Sequence, residues 1–123
     1  MLLTLTGCSK DVDIIDYIDL AKPVELVIRE KADTNSLHNL KIIMLTTEDP
    51  RLSELIKWST KNSNDWNPTP ASYIMQDAYI SQGDFHLSYY RTGGIVINYK
   101  DKEGKWNQVM KKIKPDEFEF IFK

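Results

Sequence analysis

The sequence predicts an α+β domain in which an antiparallel β-sheet, largely a meander, packs against one principal helix. Three observations carry this. Short runs rich in Val, Ile, Tyr and Phe recur through the chain, separated by Gly-, Asn- and Asp-containing turns. One segment alone, from Asp49 onward, pairs a helix start signal with apolar residues at helical spacing. The 123 residues have room for a single domain, and a composition of 41% hydrophobic and 28% charged residues is that of a folded chain.

The elements follow in order. In SKDVDIIDYIDLAKP (Ser9 to Pro23), acids alternate with Val12, Ile14, Ile15 and Ile18. The Ile14, Ile15, Ile18 spacing suits one face of a short helix, and Pro23 ends it. Part of the stretch reads as a tether and part as a short helix docked on the body, within expected boundaries of a lipidated tether over residues 8–22 and a globular domain over 23–123. PVELVIREK holds a strand from Val24 to Glu30, and ADTNS is a break. NLKIIMLTT, Asn39 to Thr47, reads as a second strand, paired with the first, whose continuous apolar centre implies burial on both faces.

The helix is expected from Pro50 to about Lys61. Asp49 is its N-cap, Pro50 fills the first position where a missing N–H costs nothing, and Leu52, Leu55, Ile56 and Ser59 line one face. NSNDWNPTP stops it. SYIMQDAYI, FHLSYYR, IVINYK and KWNQVMKKI then read as strands joined by turns at SQGD, TGG and DKEG, where Gly93 and Gly94 tolerate positive φ. FEFIF, with Phe118, Phe120 and Phe122 alternating, reads as a last strand, which brings the sheet to roughly five to seven strands.

The remaining composition narrows function by exclusion. With 16 basic and 18 acidic residues the net charge is -2, which gives no long-range attraction to nucleic acid. No apolar run reaches the ~18 residues of a membrane-spanning helix. The single cysteine, Cys8, allows no internal disulfide. His38 and His86 form no metal-ligand spacing with each other or with Cys8, so neither a metal nor another cofactor is expected. No G-x-S-x-G element occurs. His86 beside Asp84 is a base with an orienting acid or, more simply, a strand residue next to a turn. Glu117 and Glu119 fall on one side of the expected last strand and fit a solvated face. Lys111, Lys112 and Lys114, near Trp106, fit a lysine-protected sheet edge or a small anionic contact. A catalytic constellation is therefore not expected.

Two features point to a role. The first is at the start of the chain, MLLTLTGCSK. Leu5-Thr6-Gly7-Cys8 resembles the lipobox of bacterial lipoproteins: an aliphatic residue, a small residue, a glycine, then the cysteine. The resemblance implies that Cys8 carries a diacylglyceryl group, that the bond before it is cut, and that the new amino terminus is acylated. Residues 1–7, which contain no Lys or Arg, are then the remnant of a signal peptide. Two or more acyl chains give stable attachment where one does not. In enterobacterial lipoproteins an aspartate after the cysteine favours inner-membrane retention. Ser9 resembles the outer-membrane class, so the implied address is the cell envelope, facing the periplasm.

The second feature is the aromatic, proline-stiffened stretch WSTKNSNDWNPTPASY. Trp58 fits the core where helix meets sheet. Trp66 fits either that core or an exposed anchor for a protein partner. Pro68, Pro70 and Tyr73 extend the candidate partner-binding segment, since Trp and Tyr are enriched at binding hot spots and a stiff extended segment loses little entropy on binding. In size and layout the chain resembles immunity lipoproteins and small lipoproteins of prophage or genomic-island origin, with no matched motif beyond the lipobox. The expected function is a lipid-anchored binding module, of the immunity or inhibitor kind; the alternative is a structural or assembly lipoprotein of the envelope without catalytic activity.

Overall fold

The computed structural model describes residues 9–31, 38–69, 76–114 and 116–123. Strands β1 (Val24–Lys31), β2 (His38–Leu45), β3 (Asn67–Pro68), β4 (Ala78–Gln82), β5 (Phe85–Tyr90), β6 (Gly94–Lys100) and β7 (Trp106–Lys112) form one seven-stranded sheet. Its order is β2-β1-β4-β5-β6-β7-β3, and every pairing is antiparallel. Helix α1 (Pro50–Lys61) and two 3-10 turns, Ile14–Asp16 and Glu119–Phe122, complete the α+β fold. The meander runs from β4 to β7, and the β1–β2 hairpin adds to its β4 side.

Register builds the core. Ile43, Leu26, Ile80, Leu87, Ile97 and Val109 lie side by side across six strands. Because side chains alternate along each strand, Val24, Ile28, Ala78, Phe85, Tyr89, Ile95 and Tyr99 join them on the same face, all buried. Leu52, Leu55 and Trp58 of α1 close over that face. The expected cap is present: the Asp49 carboxylate accepts from the Arg51 backbone N–H at 2.9 Å. The Arg51 guanidinium, bonded to the same carboxylate at 2.7 and 3.0 Å, holds Asp49 below the usual carboxylate range. In the TGG turn Gly93 takes a φ of 111°, and an added Cβ there would sit 3.3 Å from the Ile113 carbonyl oxygen. Gly94 begins β6.

Three expectations are corrected. The tether expected over residues 8–22 does not hang free from Ser9 onward: the part read as a short docked helix is a 3-10 turn seated on the body. Val12 and Ile14 are buried in the core, and the Val12 N–H donates to the Ser63 carbonyl at 2.7 Å. Ser59, a buried polar residue of α1, explains the attachment. Its Oγ accepts from the Ile14 N–H at 2.9 Å and donates to Asp13 at 3.0 Å, while Thr60 Oγ1 donates to the other Asp13 oxygen at 3.3 Å. Ser59→Ala leaves the buried Ile14 N–H without its acceptor. It should cost about 1–3 kcal/mol in urea unfolding; an unchanged midpoint would mean that this strap adds nothing to stability.

The C-terminal FEFIF is a 3-10 turn rather than a strand. Phe118 and Ile121, three residues apart, both reach full burial, a spacing that matches three residues per turn. Local bonds from Ile121 N–H to Phe118 O and from Lys123 N–H to Phe120 O satisfy its backbone. Finally, β2 is not buried on both faces. It is an edge strand, and Leu40, Ile42 and Met44 face solvent.

Candidate functional site

Trp66, which by sequence fits either the core or an exposed anchor, lies in the core. It is 0% exposed and packs edge-on to Trp58, with ring centroids 6.1 Å apart. Its indole N–H donates to the Asn62 carbonyl at 2.8 Å, just past the end of α1. Lys111 lies over the ring, 5.2 Å from its centroid, and donates to the carbonyls of Asn62 and Asn64. Burial pushes the Lys111 ammonium below the usual lysine range. A side chain enclosed in this way offers no surface to a partner, so Trp66 is corrected from a candidate contact to a core residue.

Pro68 is exposed in the edge strand β3, opposite Val109. The Thr69 N–H bonds to β7 at Gln108 O, so by alternation position 68 turns away from the ladder and its missing N–H costs no bond. Cys8, Pro70 and Tyr73 lie outside the described residues.

The N-terminal segment is fixed against this same edge. Lys10 and Trp66 exchange backbone bonds of 2.7 and 2.9 Å. Trp66 directs its backbone groups away from β7, since Asn67 and Thr69 face it. Lys10 therefore lies outside β3, beyond the last strand of the sheet. Its ammonium reaches Asn107 Oδ1 at 2.5 Å, next to Trp106, which is 52% exposed at the end of the β6–β7 hairpin. Lys100 sits 5.3 Å from the Trp106 ring centroid.

The opposite edge carries the most conspicuous exposed apolar surface. Leu40 and Ile42 are 62% exposed and Met44 53%, at successive alternate positions of β2 and so on one face. Val27 lies beside Ile42, and Arg29 and Glu25 flank Leu40 and Met44. Among the described residues no strand pairs with the outer side of β2. A row of free backbone donors and acceptors beside an apolar stripe is what an added strand needs. The sequence hides this stripe because Ile42, Ile43, Met44 and Leu45 form an unbroken apolar run. The available signal was Lys41, whose charge is hard to reconcile with a fully buried strand.

Other candidates resolve into structure. The His86 Nδ1 lies 2.6 Å from the Tyr79 hydroxyl, with the two rings stacked. Burial, then the charge of Glu25, raise the Tyr79 phenol above its usual range. Asp84 instead faces Lys100 at 3.9 Å, so the His86–Asp84 pairing is not formed. Glu117 accepts from the Trp58 indole at 2.9 Å, and Glu119 accepts from the Tyr89 hydroxyl at 3.0 Å and lies 3.5 Å from Arg91. These two acids fasten the C-terminal turn to the body. A groove of about 650 Å³ between α1 and that turn is lined by Ile56, Lys57, Trp58, Lys61, Glu117 and Phe120. Of its two acids, Glu117 is committed to the indole, and Glu54, also on its wall, lies 3.9 Å from Lys57. Among the described residues no cluster of three or more His, Cys, Asp or Glu is placed to hold a metal ion. No described helix is long and apolar enough to cross a membrane.

The chain matches no family model, and no curated protein or solved structure is significantly similar to it.

Proposed function

We propose that this chain is a lipid-anchored binding module of the bacterial envelope, facing the periplasm, which takes up a protein partner along the edge of β2. The attachment point is Cys8, on the lipobox-like Leu5-Thr6-Gly7-Cys8, and Ser9 favours the outer membrane. The partner contributes an extended segment that adds an eighth strand. Its backbone pairs with β2, and alternate apolar side chains lie beside Leu40, Ile42 and Met44. The observation that carries this reading is the coincidence of a strand edge that no described strand pairs with and three large apolar side chains on one of its faces. Such edges are normally shortened, bulged or charged to prevent pairing; here Lys41 is the one charge between Leu40 and Leu45. An immunity or inhibitor role, in which the added strand belongs to a toxin encoded by a neighbouring gene, fits this mode of docking.

The test uses the product of the neighbouring gene, titrated calorimetrically into the purified domain. Ile42→Asp places a charge at the centre of the stripe, and a residue 62% exposed contributes little to folding. Binding should weaken at least about thirtyfold, the effect of losing one hot-spot side chain, while the free energy of urea unfolding stays within about 0.5 kcal/mol of the parent. Unchanged affinity in Ile42→Asp would remove β2 as the docking edge.

A further inference from the structure

Resting on the lipid-anchor reading, we propose that the β3 edge of the sheet, with Trp106 beside it, is the face laid against the bilayer, so that β2 is held away from the membrane. The N-terminal segment has a fixed end. Lys10 is pinned outside β3 by its two backbone bonds to Trp66 and by its ammonium on Asn107. Cys8 precedes it by two residues, and two residues span at most about 7 Å. An acyl group on Cys8 therefore leaves no free tether between the bilayer and the folded body. The body must rest on whatever surrounds Lys10.

What surrounds it suits a lipid interface. Trp106 precedes the Asn107 that Lys10 holds, and alternation turns its ring to the outer face of β7, where it is 52% exposed at this end of the sheet. It is the kind of side chain that settles among headgroups, with its ring toward the acyl chains and its N–H toward water. The hairpin that carries it reads Lys100, Asp101, Lys102, Glu103, Gly104, Lys105, with basic and acidic residues interspersed. Contact there depends on the ring and the acyl chains rather than on attraction to anionic lipid, and it should persist at high salt. Strand order supplies the rest. From β3 to β2 there are six steps across the sheet, which at ~4.8 Å per strand is a path of nearly 30 Å. Attachment and partner docking thus occupy opposite edges of one rigid sheet.

The three tryptophans make this measurable. Trp58 and Trp66 are buried at 6% and 0% exposure, so a quencher dissolved in lipid reaches Trp106 alone. The full chain, acylated in its host and checked by intact mass, is reconstituted into vesicles of phosphatidylethanolamine and phosphatidylglycerol with brominated acyl chains. Trp106 emission should shift to the blue and be quenched, at low and high salt alike, and Trp106→Phe should lose the quenchable component. Ile42→Trp in the Trp106→Phe background should remain unquenched. Acylated protein whose Trp106 is unquenched, or whose tryptophan at position 42 is quenched, overturns the orientation and leaves the anchor reading intact. Protein from the host that carries no acyl group overturns both.

Discussion

Trp66→Ala should unfold the domain at markedly lower urea, with a loss of about 3–5 kcal/mol. That is a large fraction of the roughly 5–15 kcal/mol that holds a domain together. Three contributions disappear together. The indole is fully buried, and its removal opens a cavity beneath Trp58. The Asn62 carbonyl loses its 2.8 Å bond from the ring N–H. Lys111, which bonds the chain just beyond α1 while lying over the ring, loses the surface that it covers. Trp66→Phe should recover most of the apolar contact but not the hydrogen bond, and fall between the two. If Trp66→Ala kept the parent's urea midpoint and lost only partner binding, Trp66 would return to the role of surface anchor.

Trp66 also shows where the sequence stopped being informative. Tryptophan in a Pro- and Asn-rich segment has two physical homes, under the helix end or out at an interface. Which one applies depends on whether other chain segments close over it. The segment that does so, Lys10 to Ile14, is more than fifty residues away and is held by the Ser59 hydroxyl, a contact that no periodicity reveals. Local signals were reliable where the physics is local. Asp49 and Pro50 set the start of α1, and Gly93 set the turn before β6. They failed where strand order decides. Leu40 to Leu45 has the same apolar content whether β2 lies in the middle of a sheet or at its rim, and only the pairing of β1 with β4 puts it at the rim. Likewise Phe118, Phe120 and Phe122 alternate as a strand would, but the core admits Phe118 and Ile121, and the turn follows that spacing.

Raising the pH should destabilise the fold between about pH 10 and 12, with Tyr89 the largest contributor. Burial first, then the hydrogen bond and charge of Glu119, push the Tyr89 phenol from 10.0 up to about 12. A folded-state value above the unfolded one means that the neutral phenol is favoured in the fold. Its stabilisation is complete below pH 10 and is lost as pH rises through about 12, by about 3 kcal/mol for a shift of this size. Tyr17, Tyr79 and Tyr99 are raised too, chiefly by burial, and act in the same direction. Tyr89→Phe should be less stable than the parent at neutral pH, since the 3.0 Å bond to Glu119 is gone. It should also lose less stability on going to high pH. Parallel pH profiles of urea midpoint for the parent and Tyr89→Phe would contradict this assignment.

The account depends most on the chemistry of Cys8, and intact-mass spectrometry of the protein extracted from its native membranes tests that most directly. The expected species begins at Cys8 and carries a diacylglyceryl group on the sulfur with a further acyl chain on the amino terminus, as the lipobox-like tetrad implies. A chain recovered with residues before Cys8 still attached and a free thiol would contradict the anchor, and with it the orientation of the sheet at the membrane.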